Sequence, residues 1–186
     1  NNYEWVEVDG KRYYLLKDLE IFSSDLIKFA SDWVQYNKEF PGIFHCSTSA
    51  VFQGRITKME YALMQKSGFE ELYSVIVAIA GEIGDNSFAH NLGKWPDTQG
   101  IFFGYDISKG VIVLADRGLG ILETLRQVKP ELHTHIEALK TAFTEFISGR
   151  APEKRGNGLK YVKKVVSENP ITLFFATGDA ELRINN

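Results

Sequence analysis

The sequence predicts an α+β fold, a two-layer sandwich in which helices cover one face of a mixed β-sheet, preceded by an N-terminal extension of a hairpin and helices. Three observations predict it. Apolar residues recur at helical spacing from Phe69 to His90. Two strand-like runs, Gly100 to Asp106 and Val111 to Ala115, follow across a Ser108-Lys109-Gly110 turn. A helical stretch from Leu159 to about Ser167 then leads into two closing strands.

Taken in order, residues 3 to 15 alternate around Asp9-Gly10, a dipeptide suited to a tight turn, and read as a short β-hairpin. Ser23-Ser24-Asp25 supplies a helix cap, and Leu26, Phe29, Trp33 and Tyr36 follow at helical spacing until the chain reaches Pro41. Gly42 to Phe52 reads as a loop or short strand, and Thr57 to Gln65 as an amphipathic helix. The helix from Phe69 to His90 is apolar at Leu72, Val75, Ile76, Ile79 and Ile83, then turns polar at Glu82, Asp85 and Asn86. Residues 121 to 148 read as two helical pieces split by Pro130, the second with Ile136, Leu139, Phe143, Phe146 and Ile147 on its apolar face. Gly149 to Gly158 is a loop rich in Gly, Pro and charge, and the closing strands lie around Ile171 to Ala176 and Glu181 to Ile184.

Composition narrows the function. The chain has 186 residues, 44% hydrophobic and 24% charged, the balance of a globular protein long enough for one sizeable core. A net charge of −3 argues against a general affinity for nucleic acid, which rewards a basic excess. The single cysteine, Cys46, allows no intrachain disulfide, so the expected setting is cytoplasmic. The strongly apolar run Val75 to Ala80 is far shorter than the roughly 20 residues that cross a bilayer, so no membrane span is expected. Asn1 in place of an initiating Met, with no signal-peptide pattern after it, is what a fragment of a longer protein would show.

Three stations carry chemistry. Glu82 and Asn86 are four residues apart and converge on one helix face. The amide oxygen of Asn86 is a hard ligand suited to Mg²⁺, and the Glu82 carboxylate can orient or deprotonate a water or hydroxyl. The second station is Asp116-Arg117-Gly118-Leu119-Gly120 at a strand exit, where a carboxylate can accept from an exocyclic amino group while Gly118 and Gly120 admit a flat ring and positive φ. The third is Lys154-Arg155-Gly156-Asn157-Gly158-Leu159, whose glycines ahead of a helix expose N–H groups to an anion beside two cations. Taken singly, each has a plainer description: a helix end reaching solvent, an Asp/Gly turn, a solvated loop. A third glycine for a dinucleotide fingerprint is missing after Gly120, and no Walker-type loop occurs.

In this order the stations resemble the GHKL class, the ATP-binding domains of histidine kinases, DNA gyrase and anti-sigma-factor kinases. Glu82 to Asn86 is similar to the N box, Asp116 to Gly120 to the G1 box and Gly156 to Leu159 to the G2 box, over about residues 68 to 186. The resemblance implies a Bergerat-type fold in residues 67–186, with an ATP lid at about 121–155 and an accessory layer in 1–66. It also implies that Asn86 binds Mg²⁺, that Asp116 recognises the adenine amino group, that Gly118, Gly120, Gly156 and Gly158 shape the pocket, and that His90 approaches phosphate. The chain departs from the pattern in lacking a phosphoacceptor box, in carrying Arg117 where family members often have Asn, and in having only two G2 glycines. His133 and His135 read as exposed helix residues of the lid.

The function so implied is Mg-dependent ATP/ADP binding in a signalling protein similar to the anti-sigma-factor serine kinases, with a protein partner and Glu82 as base. The alternatives are a gyrase or mismatch-repair style ATPase that closes as a homodimer, and a non-catalytic switch. Asp116→Asn is expected to abolish nucleotide binding with little loss of stability, the carboxylate being reserved for the ligand.

Overall fold

The computed structural model describes residues 5–8, 11–14, 26–146 and 157–186. Along the chain these form β1 (Trp5–Val8), β2 (Lys11–Tyr14), α1 (Leu26–Tyr36), a 3-10 turn (Gly42–Phe44), β3 (His45–Cys46), α2 (Ser49–Met64) and α3 (Tyr73–Asn91). There follow β4 (Ile101–Asp106), β5 (Val111–Asp116), α4 (Gly120–Arg126), α5 (His135–Thr144), α6 (Gly158–Glu168), β6 (Leu173–Thr177) and β7 (Ala180–Ile184). The α+β class holds.

The sheet arrangement departs from expectation. The described strands pair only antiparallel, in three separate units, β1-β2, β3-β4-β5 and β6-β7, rather than in one mixed sheet. Within β4-β5 and β6-β7 the connections are a few residues long, which compels antiparallel pairing. The β6-β7 turn is made by Gly178 at φ 57°.

Helices also cover both faces of the central sheet rather than one. Register sets Phe102 opposite Ala115 and Gly104 opposite Val113 on one face, and Phe103 opposite Leu114 and Tyr105 opposite Ile112 on the other. The first face meets Leu26, Ala30 and Trp33 of α1, with Phe40 and Phe44 closing over Phe102 at ring separations of 5.2 and 5.3 Å. The second meets Phe52, Ile56, Met59 and Leu63 of α2 together with α3. Strand β4 is thus buried along nearly its whole length, which explains its unbroken apolar Ile101-Phe102-Phe103 start.

Helix α2 begins eight residues before the expected Thr57, at Ser49. Thr48 caps it, its Oγ1 accepting from the Val51 amide at 3.3 Å. Its buried stripe is Phe52, Ile56, Met59 and Leu63. Helix α3 lies between two cores and is apolar on both sides for that reason. Ile76, Val77 and Ala80 face α2 and the sheet, while Val75, Ile79 and Ile83 face α5, α6 and β6-β7. Helices α2 and α3 approach closely where Phe52 lies over Gly84: a Cβ there would stand 2.1 Å from the Phe52 ring.

The described part of the expected lid, residues 121–146, is packed. Leu122, Leu125, Leu132 and Ala138 form a small core, and Leu139 and Phe143 join the core beneath α3. Helix α5 starts on a capping box, Thr134 accepting from the Glu137 amide and Glu137 from the Thr134 amide. Its buried stripe is Ala138, Leu139, Thr141 and Phe143. Ile136 and Phe146, expected on that face, are 57% and 84% exposed because the stripe starts at 138 and the helix ends at Thr144. Ile147 lies outside the described residues. No helix among the described residues is long and apolar enough to cross a membrane.

Candidate functional site

The second half of α3 organises the site. Glu82, Asn86 and His90 succeed one another at four-residue steps, and Ser87 and Asn91 form a second row beside them. In the first row, Asn86 Nδ2 donates to Glu82 Oε1 at 3.1 Å. The start of α6 rests on this pair. A Cβ on Gly158 would lie 1.8 Å from Glu82 Oε1 and 3.1 Å from Asn86 Nδ2, so only a glycine lets the α6 N-terminus come this near without displacing the carboxylate. An anionic side chain is thereby held where the helix dipole is positive.

The second row reaches β5 and the loop after it. Ser87 Oγ donates to Asp116 Oδ2 at 2.6 Å, and Asp116 Oδ1 accepts from the Gly118 amide at 2.8 Å. Asn91, 3% exposed, donates to Ser87 O at 2.8 Å and accepts from the Leu119 amide at 2.8 Å. Its amide fills the room beside Gly118, where a Cβ would stand 2.0 Å from Asn91 Nδ2. The two glycines of the Asp116 loop therefore serve different ends. Gly118 admits the Asn91 amide, while Gly120, at φ 75° and exposed, turns the chain into α4. Thr177, at the end of β6, places its Oγ1 3.4 Å from the Ile121 amide, close to Gly120.

The expectation that Asp116 is reserved for a ligand needs correction. Both of its oxygens already accept a hydrogen bond within the chain, because the loop doubles back over the strand end and brings the Gly118 amide beneath the carboxylate. Each oxygen retains a second lone pair, so a further donor can still be met.

Consecutive residues of α3, Asn86 and Ser87, thus touch the third station and the second station respectively. Comparison with protein-family models, curated proteins and solved structures finds no match. The geometry of this chain is accordingly the basis for any functional reading.

Of the residues predicted from sequence, Glu82, Asn86, Asp116, Gly118 and Gly158 lie along α3, with Gly120 at the loop's far end and His90 one helical turn beyond Asn86. Asn157 is exposed at the start of α6 with no side-chain capping bond. Leu159 packs into the core beneath α3, and so serves the fold. Lys154, Arg155 and Gly156 lie outside the described residues. His135 packs its ring against Gly178, where a Cβ would meet it at 2.5 Å. Ser87, Asn91 and Thr177 went unnoticed in the sequence. Ser87 and Asn91 carry a usable signal, being polar residues four apart on one helix face in the half of the helix where the apolar pattern gives way. Thr177 carries a weaker one, as the polar end of an inward row with Leu173 and Phe175.

For a hard cation the relevant atom is Asn86 Oδ1, since the amide nitrogen is the group that faces Glu82. Among the described residues no three His, Cys, Asp or Glu side chains gather in a metal-binding group. On the protein side the site thus offers a hard cation one amide oxygen, which leaves the other positions of an octahedral ion to phosphates and waters.

Proposed function

We propose that the chain binds an adenine nucleotide with Mg²⁺ in the manner of the GHKL ATP-binding domains, within a Bergerat-type fold, and acts in signalling through a protein partner in a cytoplasmic setting. The observation that carries the reading is the convergence on α3: Asn86 beside Gly158 and Ser87 bonded to Asp116. Groups suited to a cation and an anion thereby stand on one row of α3, and the acceptor for a purine amino group is bonded to the row beside it.

On this reading Asp116 accepts the exocyclic amino group through a remaining lone pair, with Ser87 and the Gly118 amide fixing its plane. Asn86 and the N-terminus of α6 meet the phosphates, where the helix dipole and N–H groups favour negative charge. Magnesium, when bound, neutralises part of the phosphate charge, and Asn86 Oδ1 is the protein oxygen offered to it. In a kinase, the oxygen of a partner hydroxyl attacks the γ-phosphorus, ADP leaves with the electron pair of the broken P–O bond, and the hydroxyl proton passes to Glu82.

Titration of the protein with ADP and Mg²⁺ by calorimetry tests the reading. Saturable binding supports it, and absence of binding up to about 1 mM, the weak end of ordinary substrate sites, overturns it. A second reading, a nucleotide-dependent switch without turnover, is favoured by the Glu82 geometry. Oε1 of the carboxylate accepts from Asn86 and rests against Gly158, a structural duty that suits a site without turnover, while any proton transfer would fall to Oε2. Labelled ATP separates the cases: free phosphate indicates a gyrase-style ATPase, labelled partner a kinase, and intact bound ATP a switch.

A further inference from the structure

Arg117 follows Asp116 directly and is the residue that departs from the resembled pattern. Its side chain is 17% exposed and makes contacts in two directions. Nη1 donates to the Trp33 carbonyl at 2.5 Å, and Nε donates to Asp97 Oδ2 at 2.9 Å, where Nη2 also donates. Trp33 lies in the last turn of α1, and its carbonyl, which also accepts from the Asn37 amide at 3.0 Å, takes the guanidinium as a second donor, so that a cation stands at the negative end of α1. Asp97 is itself fixed, its Oδ1 accepting from the Thr98 amide at 2.6 Å. Trp33 is 4% exposed and embedded among Phe40, Phe102 and His45, which makes it a rigid anchor.

The loop from Asp116 to Gly120 is thus held from two sides. Asn91 holds the Leu119 amide from α3, and Arg117 ties the same loop to α1 and to the segment before β4. The carboxylate of Asp116 stands one residue before Arg117 and is itself held by Ser87 and the Gly118 amide. A planar fork with fixed donors defines a position in a way that a flexible ammonium does not.

We propose that Arg117 is a positioning residue for the purine end of the site, fastening the Asp116 loop to the C-terminus of α1 so that the N-terminal layer sets how Asp116 meets its ligand. The proposal rests on the nucleotide reading above and deepens it: residues 26–36, expected to be accessory, become part of the recognition apparatus.

The test uses the whole chain, with Arg117→Ala, Arg117→Lys and Asp97→Asn. ADP and inosine diphosphate, which lacks the exocyclic amino group, are titrated with Mg²⁺, and amide exchange is followed in the ligand-free protein. The unaltered chain should favour ADP by about tenfold or more, the discrimination expected of one committed hydrogen bond. Arg117→Ala should bring the ratio to within about threefold by weakening ADP while leaving inosine diphosphate unchanged, because the phosphate end is untouched. Arg117→Lys should not restore it, and exchange at Gly118 and Leu119 should rise while α2 amides stay protected. Should Arg117→Ala fail to fold, Asp97→Asn removes only the exposed half of the attachment and is read in the same two ways. ADP binding with unchanged ratio and unchanged exchange in the variants overturns the role of Arg117 alone. Equal loss of both nucleotides overturns it too, since a merely structural part would do that. An unaltered chain that binds neither nucleotide overturns the nucleotide reading and the positioning role with it.

Discussion

Gly118 and Gly158 show how a residue defined by what it lacks can place other groups. Each leaves a space that a neighbouring polar side chain fills, Asn91 at Gly118 and Glu82 at Gly158. The consequences differ because the neighbours differ in freedom. Asn91 is buried and bonded at both ends of its amide, so Gly118→Ala should displace it, break the Leu119 bond and cost about 1–3 kcal/mol in urea unfolding. Glu82 is partly exposed and can swing aside, so Gly158→Ala should leave stability nearly unchanged while weakening Mg·ADP binding measured by calorimetry. Asp116→Asn replaces one accepting oxygen with a donor. It should lower stability by about 1 kcal/mol, as well as ADP affinity, because the carboxylate serves the loop before it serves any ligand.

Among the elements, α5 carries its own start signal. Thr134→Ala removes the capping acceptor and should cost about 1 kcal/mol in thermal or chemical unfolding. The amides of His133 and Thr134, with the Thr134 hydroxyl, hold the Glu137 carboxyl below its usual value. A depressed folded value gives stability that is present above the unfolded pKa, near about 4.3, and is lost as pH falls through the lower folded value. The melting difference between the unaltered protein and Glu137→Gln should therefore be constant near neutrality and close in acid; a difference that persists at low pH would refute the assignment. Asp97 follows the same sign, its carboxyl lowered first by the Arg117 hydrogen bond and next by the Thr98 amide, so the attachment at Arg117 weakens in acid.

At the scale of the whole molecule, α3 is the shared wall of two cores and Phe52 is the wedge that fixes its distance from α2. Phe52 is fully buried, edge-on to Phe103 at 5.2 Å and seated over Gly84. Phe52→Ala should cost about 3–5 kcal/mol in denaturant titration, the range for truncating a buried aromatic. Since α3 carries Glu82, Asn86 and Ser87 together, loss of this seat should also weaken ADP binding, whereas truncating exposed Phe146 should alter neither.

Local pattern alone determined much of this protein: the α+β class, helix α3, the β4-β5 hairpin, the α6 start and the residue types at the three stations. Those follow from periodicity, caps and turn residues, which act over a few positions. The reach of α2 back to Ser49 was hidden because Gly54 interrupts its propensity while burial of Phe52 stabilises it from a distance. Only the tertiary structure decided that the central sheet is covered on both faces, that Asn91 fills the room at Gly118, and that Arg117 ties the Asp116 loop to α1. These are contacts between residues far apart in the chain, and no spacing within the sequence encodes them; they exist because packing α1 and α3 on opposite faces of the central sheet brings those particular groups together.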